Sequence, residues 1–506
     1  MNLSISQIVE ACSGKLVLQG TDADKNLKVS SVVLDSRLVT QAGVFVATVG
    51  ERVDGHKFIP DVYAKGVSLV ITEKTPEQVE AEHGVPADAW GNYVLVESSF
   101  QALKDIAECY RKTLSIPIVG ITGSVGKTST KEAIAGVLAE KYKVLKTEGN
   151  FNNEIGVPLT LLRIREEHEA AVVEMGINQF GEMHRLSKMV RPNVCIITNI
   201  GQCHLENLGT RDGILKAKSE IFDFMAEDGE VCLNGDDDKL ATVVEIKGKK
   251  PHFFGLGENA SEEVYATDIV SKGLWGSDAV LHFGDSPAEN VSVIGNTEAG
   301  AEQTLPVQIP LPGRHMVINV AAAACVGKVL GLTREQIVEG ISKTSTISGR
   351  NNLMRLPDYT LIDDCYNANP VSVKAAIDLL QMADTEKVAI LGDMFELGAD
   401  AEALHAEIGA YAANAGTDRI YCVGELSKHM YDAARDIVKK SFVSEDGTTS
   451  ISEQSEPVVL YFATRELLEE SLKERREELV PCGATILLKA SHGMEFDKLI
   501  QKKLFE

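Results

Sequence analysis

The sequence predicts an α/β protein of three domains, on three observations. Strand-like runs alternate with helical stretches from about residue 111 and again from about 345, which implies parallel sheets covered by helices. The first 110 residues have another texture, short strand-like runs between turn residues, as in a small α/β module. A chain of 506 residues, 44% hydrophobic, is long enough for about three cores. The expected domains are 1–110, 111–340 and 341–506.

In the first region strands are expected at 43–47, 68–72 and 93–96, in a module that reads as self-contained. The central region opens with a strand at 116–121, a glycine-rich turn and a helix at 127–142. Ala133, Ile134, Val137, Leu138 and Tyr142 give that helix one apolar face for packing on a sheet. Strands follow near 143–147, 170–175 and 194–199. From about 260 to 310, Gly, Ser, Asn and Asp between short β-like runs predict an antiparallel excursion before a helix near 315–330. In the third region strands at 360–363, 388–391, 419–423 and 485–489, with helices from about 371 and 401, predict a doubly wound, Rossmann-like sheet. Such sheets bind ligands beyond the carboxyl ends of their strands.

With 50 Lys+Arg against 74 Asp+Glu, the net charge of −24 favours solubility and argues against a nucleic-acid ligand. An anionic substrate must then be held locally, by loop amides, single lysines and metal ions. The nine cysteines are scattered and never in Cys-x-x-Cys spacing, so neither a disulfide framework nor a zinc site is indicated. The N-terminus lacks a basic segment followed by an apolar stretch, and no apolar run approaches the ~18 residues of a membrane span. The expectation is a cytoplasmic, soluble monomer without nucleic-acid or membrane partners.

The strongest local signal is Gly120-Ile-Thr-Gly-Ser-Val-Gly-Lys-Thr-Ser129, after an apolar strand and opening a helix. Gly123 and Gly126 let the backbone curl so that N–H groups of Ser124 to Ser129 face a phosphate chain. Lys127 reaches the terminal phosphates and the Thr128 hydroxyl can bind Mg²⁺. Ile121 stands where the strict phosphate-loop pattern has glycine, so the loop is a variant. A nucleoside triphosphate is its natural guest, and the central sheet is expected to be ATPase-like. In Ala170-Ala-Val-Val-Glu-Met-Gly176 an acid ends a buried strand, which makes Glu174 the first candidate metal ligand. Asn199-Ile-Gly-Gln-Cys-His-Leu-Glu-Asn-Leu-Gly209 brings His204 to the same rim, where imidazole binds or orients a second ion as readily as it serves structure.

With these motifs the chain resembles the Mur ligase family over nearly its whole length. Gly313-Arg-His-Met-Val-Ile-Asn319 is similar to that family's adenine-binding helix, which implies that His315 and Asn319 lie against the base. Gly149-Asn-Phe-Asn-Asn-Glu-Ile-Gly-Val-Pro158, Asp363-Asp-Cys-Tyr-Asn-Ala-Asn-Pro370 and Leu391-Gly-Asp-Met-Phe-Glu-Leu-Gly398 resemble the branch that adds D-alanyl-D-alanine. So do Asp35-Ser-Arg37 and Gly50-Glu-Arg-Val-Asp-Gly-His-Lys-Phe58 near the N-terminus. Each piece alone could be turn chemistry; five in the correct order are not.

The resemblance implies an N-terminal domain for a UDP-sugar, a central ATP-binding domain and a C-terminal domain. It implies UDP-substrate contacts from Asp35, Ser36, Arg37, Asn150, Asn152 and Asn153. Asp364 would contact the ATP ribose, and Arg350 the γ-phosphate. Tyr366, Asn367, Asn369, Lys489 and Ser491 would line the dipeptide cleft. Lys218, in Leu215-Lys-Ala-Lys-Ser-Glu-Ile-Phe222, matches the lysine the family carries as a carbamate, a ligand with His204 for a second Mg²⁺. The implied reaction is ATP-dependent ligation of D-alanyl-D-alanine to UDP-N-acetylmuramoyl-tripeptide in peptidoglycan precursor synthesis, and hence a part in cell-wall biogenesis, cell shape and division. Other readings are another Mur-type or folylpolyglutamate-type ligase, or a nucleotide-driven switch, for which the phosphate loop alone suffices.

Overall fold

A computed structural model describes residues 1–18, 25–50, 53–201, 203, 205–257, 262–284, 303–345, 349, 352–395, 397–442 and 457–505. Its strands form three sheets. The first holds β1 (Lys15–Val17), β2 (Val32–Val33), β3 (Val44–Val46), β4 (Leu69–Thr72) and β5 (Tyr93–Leu95) in the order β1-β5-β4-β3-β2. Only β1 runs antiparallel to its neighbour.

The central sheet is built from β6 (Ile118–Thr122), β7 (Val144–Lys146), β8 (Ala170–Glu174), β9 (Val194–Ile197), β10 (Glu230–Asn234), β11 (His252–Gly255), β12 (Glu262–Ser271), β13 (Ser277–Phe283) and β14 (Gln303–Ile309). Its order is β14-β13-β12-β11-β10-β9-β6-β8-β7. From β7 to β12 every pairing is parallel. The turn from Lys272 to Gly276 joins β12 to its neighbour β13, a connection short enough only for antiparallel strands, as the predicted excursion requires. Part of that excursion, 285–302, lies outside the described residues. Because β6 has β9 on one side and β8 on the other, the chain leaves it in both directions, and the crevice beyond its carboxyl end is a topological switch point.

The third sheet comprises β15 (Asn352–Arg355), β16 (Thr360–Asp364), β17 (Lys387–Gly392), β18 (Arg419–Val423), β19 (Val458–Phe462) and β20 (Thr485–Lys489), in the order β15-β16-β20-β17-β18-β19. It is parallel except at β15.

Two compact units divide the chain: residues 1–269, 279–308 and 315–344, and residues 270–278, 309–314 and 345–506. The first region, expected to stand alone, shares a continuous apolar core with the central sheet. The Ser99–Lys112 helix makes the join. It buries Ala102, Leu103, Ile106, Ala107 and Tyr110 and packs on the helices Ile5–Cys12, Gly156–Leu161 and Glu182–Val190. Tyr110 donates to Ile164 O at 2.7 Å, and buried Arg111 donates through Nε to Val190 O at 2.7 Å. The helix after the glycine turn spans Lys127–Leu138, four residues shorter than expected. Just beyond Leu138, Glu140 N and Lys141 N bond three residues back, to Val137 O and Leu138 O, and Tyr142 donates its hydroxyl to Leu330 O at 3.0 Å.

One half-buried ion-pair group gives the central sheet a pH dependence. His252 on β11 meets Glu263 at 2.9 Å through Nδ1 and Glu230 at 3.4 Å through Nε2. Lys328 lies 3.8 Å from Glu263, and Lys249 3.3 Å from Glu230. The hydrogen bond to Glu263 outweighs burial and raises the imidazole from its ordinary value near 6.5 to about 9. A raised folded-state value means that this stabilisation is complete below about pH 6.5 and is lost as pH climbs through 9, on the order of 2 kcal/mol in all. Thermal unfolding should therefore fall to lower temperature between pH 7 and 10, and the slope should flatten in His252→Gln. An equal slope in that variant would remove His252 as its source.

Candidate active site

The phosphate loop is built by steric necessity at two glycines. Gly123 follows the end of β6 at φ +154°, and a Cβ there would lie 1.9 Å from Thr198 Oγ1. Gly126, at φ +79°, is the N-cap of the Lys127–Leu138 helix. Two residues from the end of β9 latch the loop. Asn199 accepts from Val125 N at 3.0 Å and donates back to Val125 O at 2.9 Å, while Thr198 donates to the same oxygen at 2.8 Å. Ser124 is fixed by Asn199 O and by Gly201 N. Val125 itself is left exposed and Ser129 half-buried on the first helical turn.

Two lysines converge on one carbonyl. Lys127 Nζ donates to Gly123 O at 2.8 Å and to Ser124 O at 3.3 Å, and Lys218, wholly buried, donates to Gly123 O at 3.0 Å. Burial, and secondly the charge on Lys127, lower the Lys218 amine to about 8.

Beside them Thr128 Oγ1 donates to Glu174 Oε1 at 3.2 Å, and Asn152 Nδ2 donates to the same oxygen at 2.9 Å. Glu174 is buried, and its Oε2 receives no hydrogen bond from the described residues, the Lys131 ammonium standing 3.9 Å away. An orphaned carboxylate oxygen is costly away from water, and it is the group a hard cation takes. Glu174 with Thr128 therefore fits a divalent metal. Asn152, expected on the UDP-substrate, is turned inward to Glu174. Asn150 is exposed, and Asn153 is exposed with its Oδ1 capping Ile155 N and Gly156 N.

His315 and Asn319 lie on the Arg314–Val329 helix. His315 is exposed, whereas Asn319 is buried and accepts from Thr130 Oγ1 at 3.0 Å, which ties this helix to the phosphate-loop helix. In the first sheet's domain Arg37 grips Asp35 through two nitrogens, and this hydrogen bonding lowers the carboxyl to about 2. Lys65 reaches Ser36 O. Within the Gly50 to Phe58 segment, Asp54 gathers His56, Lys74 and His83. Asp54, Glu82 and His83 lie close enough for an ion, but Lys74 Nζ, 2.9 Å from Asp54 and 2.5 Å from Glu82, already supplies the cation.

In the third sheet Asp364 and Lys489, at the adjacent ends of β16 and β20, form a buried pair at 2.6 Å, and Lys489 also donates to Asn367 O at 2.7 Å. Tyr366 lies beside His492, Asn369 caps the Pro370–Gln381 helix, and Ser491 Oγ accepts from Phe395 N at 2.9 Å. His204 and Arg350 lie outside the described residues, as do residues 51, 52, 202 and 396 of the quoted segments. Sequence reasoning missed the Asn199 and Thr198 latch, and it missed Lys131 and Thr147, which flank Glu174. A polar pair ending an apolar strand was the available signal for the first.

Three family models match the chain: "Mur ligase family, catalytic domain" over residues 28–111, "Mur ligase middle domain" over 121–327 and "Mur ligase, glutamate ligase domain" over 349–492. The UDP-N-acetylmuramoyl-tripeptide–D-alanyl-D-alanine ligase of Bacillus subtilis is 33% identical over 94% of this chain and 93% of its own length. The ligase of the same name from Escherichia coli is 32% identical over 84% and 87%. A MurF crystal structure from Acinetobacter baumannii superposes with a TM-score of 0.81 at 29% identity, covering 100% of this chain and 99% of that one. MurF from Thermotoga maritima, solved with ADP, gives 0.69 at 27% identity over 94% and 98%. The chain belongs to the Mur ligase family.

Proposed function

We propose that this enzyme joins D-alanyl-D-alanine to UDP-N-acetylmuramoyl-tripeptide with hydrolysis of ATP to ADP and phosphate, in peptidoglycan precursor synthesis. The observation that carries this reading is the match to ligases of that name along the whole chain. A nucleotide switch sharing only the phosphate loop would match in the central region alone.

A carboxylate and an amine need a better leaving group than hydroxide. The γ-phosphoryl group passes from ATP to the tripeptide's terminal carboxylate, giving an acyl phosphate and ADP. The amine of the dipeptide attacks the acyl carbon, loses its proton, and the tetrahedral intermediate expels phosphate. No protein nucleophile is required; the work is positioning and charge compensation. First-turn N–H groups of the Lys127–Leu138 helix face the phosphates, and Lys127 leaves its loop carbonyls to meet the γ-phosphate. Arg350 is assigned to the same phosphate, His315 and Asn319 to the base, and Asp364 to the ribose. Asp35, Ser36, Arg37, Asn150 and Asn153 are assigned to the UDP-substrate, with Asn152 acting through Glu174. Tyr366, Asn367, Asn369, Lys489 and Ser491 are assigned to the dipeptide. These roles divide the chain at about 110 and 340 into UDP-sugar, ATP and C-terminal ligase domains.

Glu174 and Thr128 would hold one Mg²⁺, and His204 with Lys218 a second. Bound there, the ions supply charge neutralisation between the γ-phosphate and the attacking carboxylate. Lys218 suits carbamate formation. An amine lowered to about 8 is partly neutral near physiological pH, and its nitrogen can add to CO₂ with loss of a proton. The product is an anion where an ammonium would repel a metal. Activity should fall in CO₂-depleted buffer and return with bicarbonate; a Lys218→Ala variant that ligates at the wild-type rate without CO₂ would disprove the carbamate.

All nine cysteines are free, and among the described residues no helix is long and apolar enough to cross a membrane. A cytoplasmic monomer is the assignment that fits reduced thiols and an ATP substrate. ADP formation should require the UDP-muramoyl-tripeptide and D-alanyl-D-alanine together, and equal turnover with the dipeptide withheld would refute a ligase.

A further inference from the structure

Lys131 lies one turn beyond Lys127 on the same helix and is 1% exposed. Its ammonium is turned away from the phosphate loop. Nζ donates to Thr147 O at 2.7 Å, lies 3.1 Å from Glu132 Oε1, and stands 3.9 Å from Glu174 Oε2, the oxygen that no hydrogen bond from the described residues reaches. Thr147 closes a ring: its carbonyl takes Lys131, and its hydroxyl accepts from Glu174 N at 3.0 Å.

Thr147 also begins the 147–155 segment, which returns to the same carboxylate. Asn152 Nδ2 reaches Glu174 Oε1 at 2.9 Å, and Gly176 N donates to Asn152 O at 2.8 Å. The segment bearing Asn150 and Asn153 is thus tied to Glu174 at its start through Lys131 and Thr147, and in its middle through Asn152.

We infer that Lys131 is a positioning residue that couples metal–nucleotide occupancy at Glu174 to the placement of the 147–155 segment, and so to the affinity for the UDP-linked substrate. A cation taken up by Glu174 draws on the carboxylate that Lys131 faces and repels the buried ammonium. The anchors left to Lys131 are Glu132 and the carbonyl of Thr147, so the displacement passes to the backbone of the segment. Coupling of this kind is reciprocal: each ligand changes the other's affinity by the same factor. A lysine that merely satisfied Thr147 O would contribute stability without changing how one ligand alters affinity for the other.

The inference rests on the assignment of Asn150 and Asn153 to the UDP-substrate, and the test separates the two. Calorimetry without turnover gives the Kd of UDP-N-acetylmuramoyl-tripeptide in the presence and absence of Mg²⁺ with a non-hydrolysable ATP analogue. For the unaltered enzyme the ratio of the two values should be on the order of tenfold, and in Lys131→Met, which keeps an unbranched apolar chain one atom shorter but not the charge, it should fall to within about twofold of unity. Thr147→Val, which removes the hydroxyl but keeps the carbonyl, should lower the ratio in the same direction, and it carries the test if Lys131→Met does not fold. An unchanged ratio in the ring variants, or a ratio of one in the unaltered enzyme, would overturn the coupling. An unaltered enzyme that binds nucleotide but not the UDP-linked peptide would overturn the substrate assignment, and the coupling with it.

Discussion

Lys127→Ala should abolish ligation, with a fall of roughly 10³-fold or more in kcat, while the protein stays folded. Its side chain is half-buried and holds loop carbonyls, not core residues, so its loss removes a charge from the γ-phosphate without opening a cavity. Alanine is also the best helix former for the first turn it would occupy. Circular dichroism and the unfolding temperature should therefore stay near those of the unaltered enzyme. Retention of a tenth of the activity, only ~1.4 kcal/mol in the barrier, would take Lys127 out of the catalytic set.

Gly123→Ala should cost nearly as much by a different route. The added methyl would meet Thr198 Oγ1 at 1.9 Å, and that hydroxyl is the one that holds Val125 O. Together with a backbone at φ +154°, the strain is about 1–3 kcal/mol, which the loop can relieve only by leaving its latch. ADP affinity should drop about 10- to 100-fold, with a larger loss in turnover because the first helical turn is no longer aimed. Gly123→Ala combined with Thr198→Ala should recover only part of the affinity: the 1.9 Å clash is gone, but Thr198 Cβ at 3.1 Å and N at 3.2 Å stay close, the backbone strain remains and the bond to Val125 O is lost. ADP bound as tightly by Gly123→Ala as by the unaltered enzyme would show that the loop geometry does not govern nucleotide binding.

What could be read from the sequence was what lies contiguous in it. The loop from Gly120 to Ser129 carries its glycines, its lysine and its strand–helix context within ten residues, so the crevice at β6 and its phosphate chemistry followed from local rules. Alternating texture likewise placed β6 to β9, β16 to β18 and β20 to within a residue or two, whereas β10, β11, β15 and β19 were not read from it. Glu174 and Lys218 were assigned to one site from strand-end position and resemblance; in the structure Glu174 accepts from Thr128, and Lys218 shares Gly123 O with Lys127.

The tertiary structure decided how polar side chains distant in sequence are shared out. Asn199 became a latch and Asp364 the partner of Lys489 because strands far apart in the chain end side by side in a parallel sheet. The first region lost its independence because the Ser99–Lys112 helix buries its apolar face against helices of the central domain, which its own periodicity cannot reveal. Lys131 is the sharpest case. It falls outside the apolar set of its helix, and a lone lysine there reads as a solvated charge. It is buried because Thr147 O and two carboxylates, brought in by β7, β8 and its own helix, replace its water. Local sequence sets which backbone conformations and which face of an element are available. Which buried charge is compensated by which partner is settled only when separate elements pack, because a charge leaves water only where another group takes water's place.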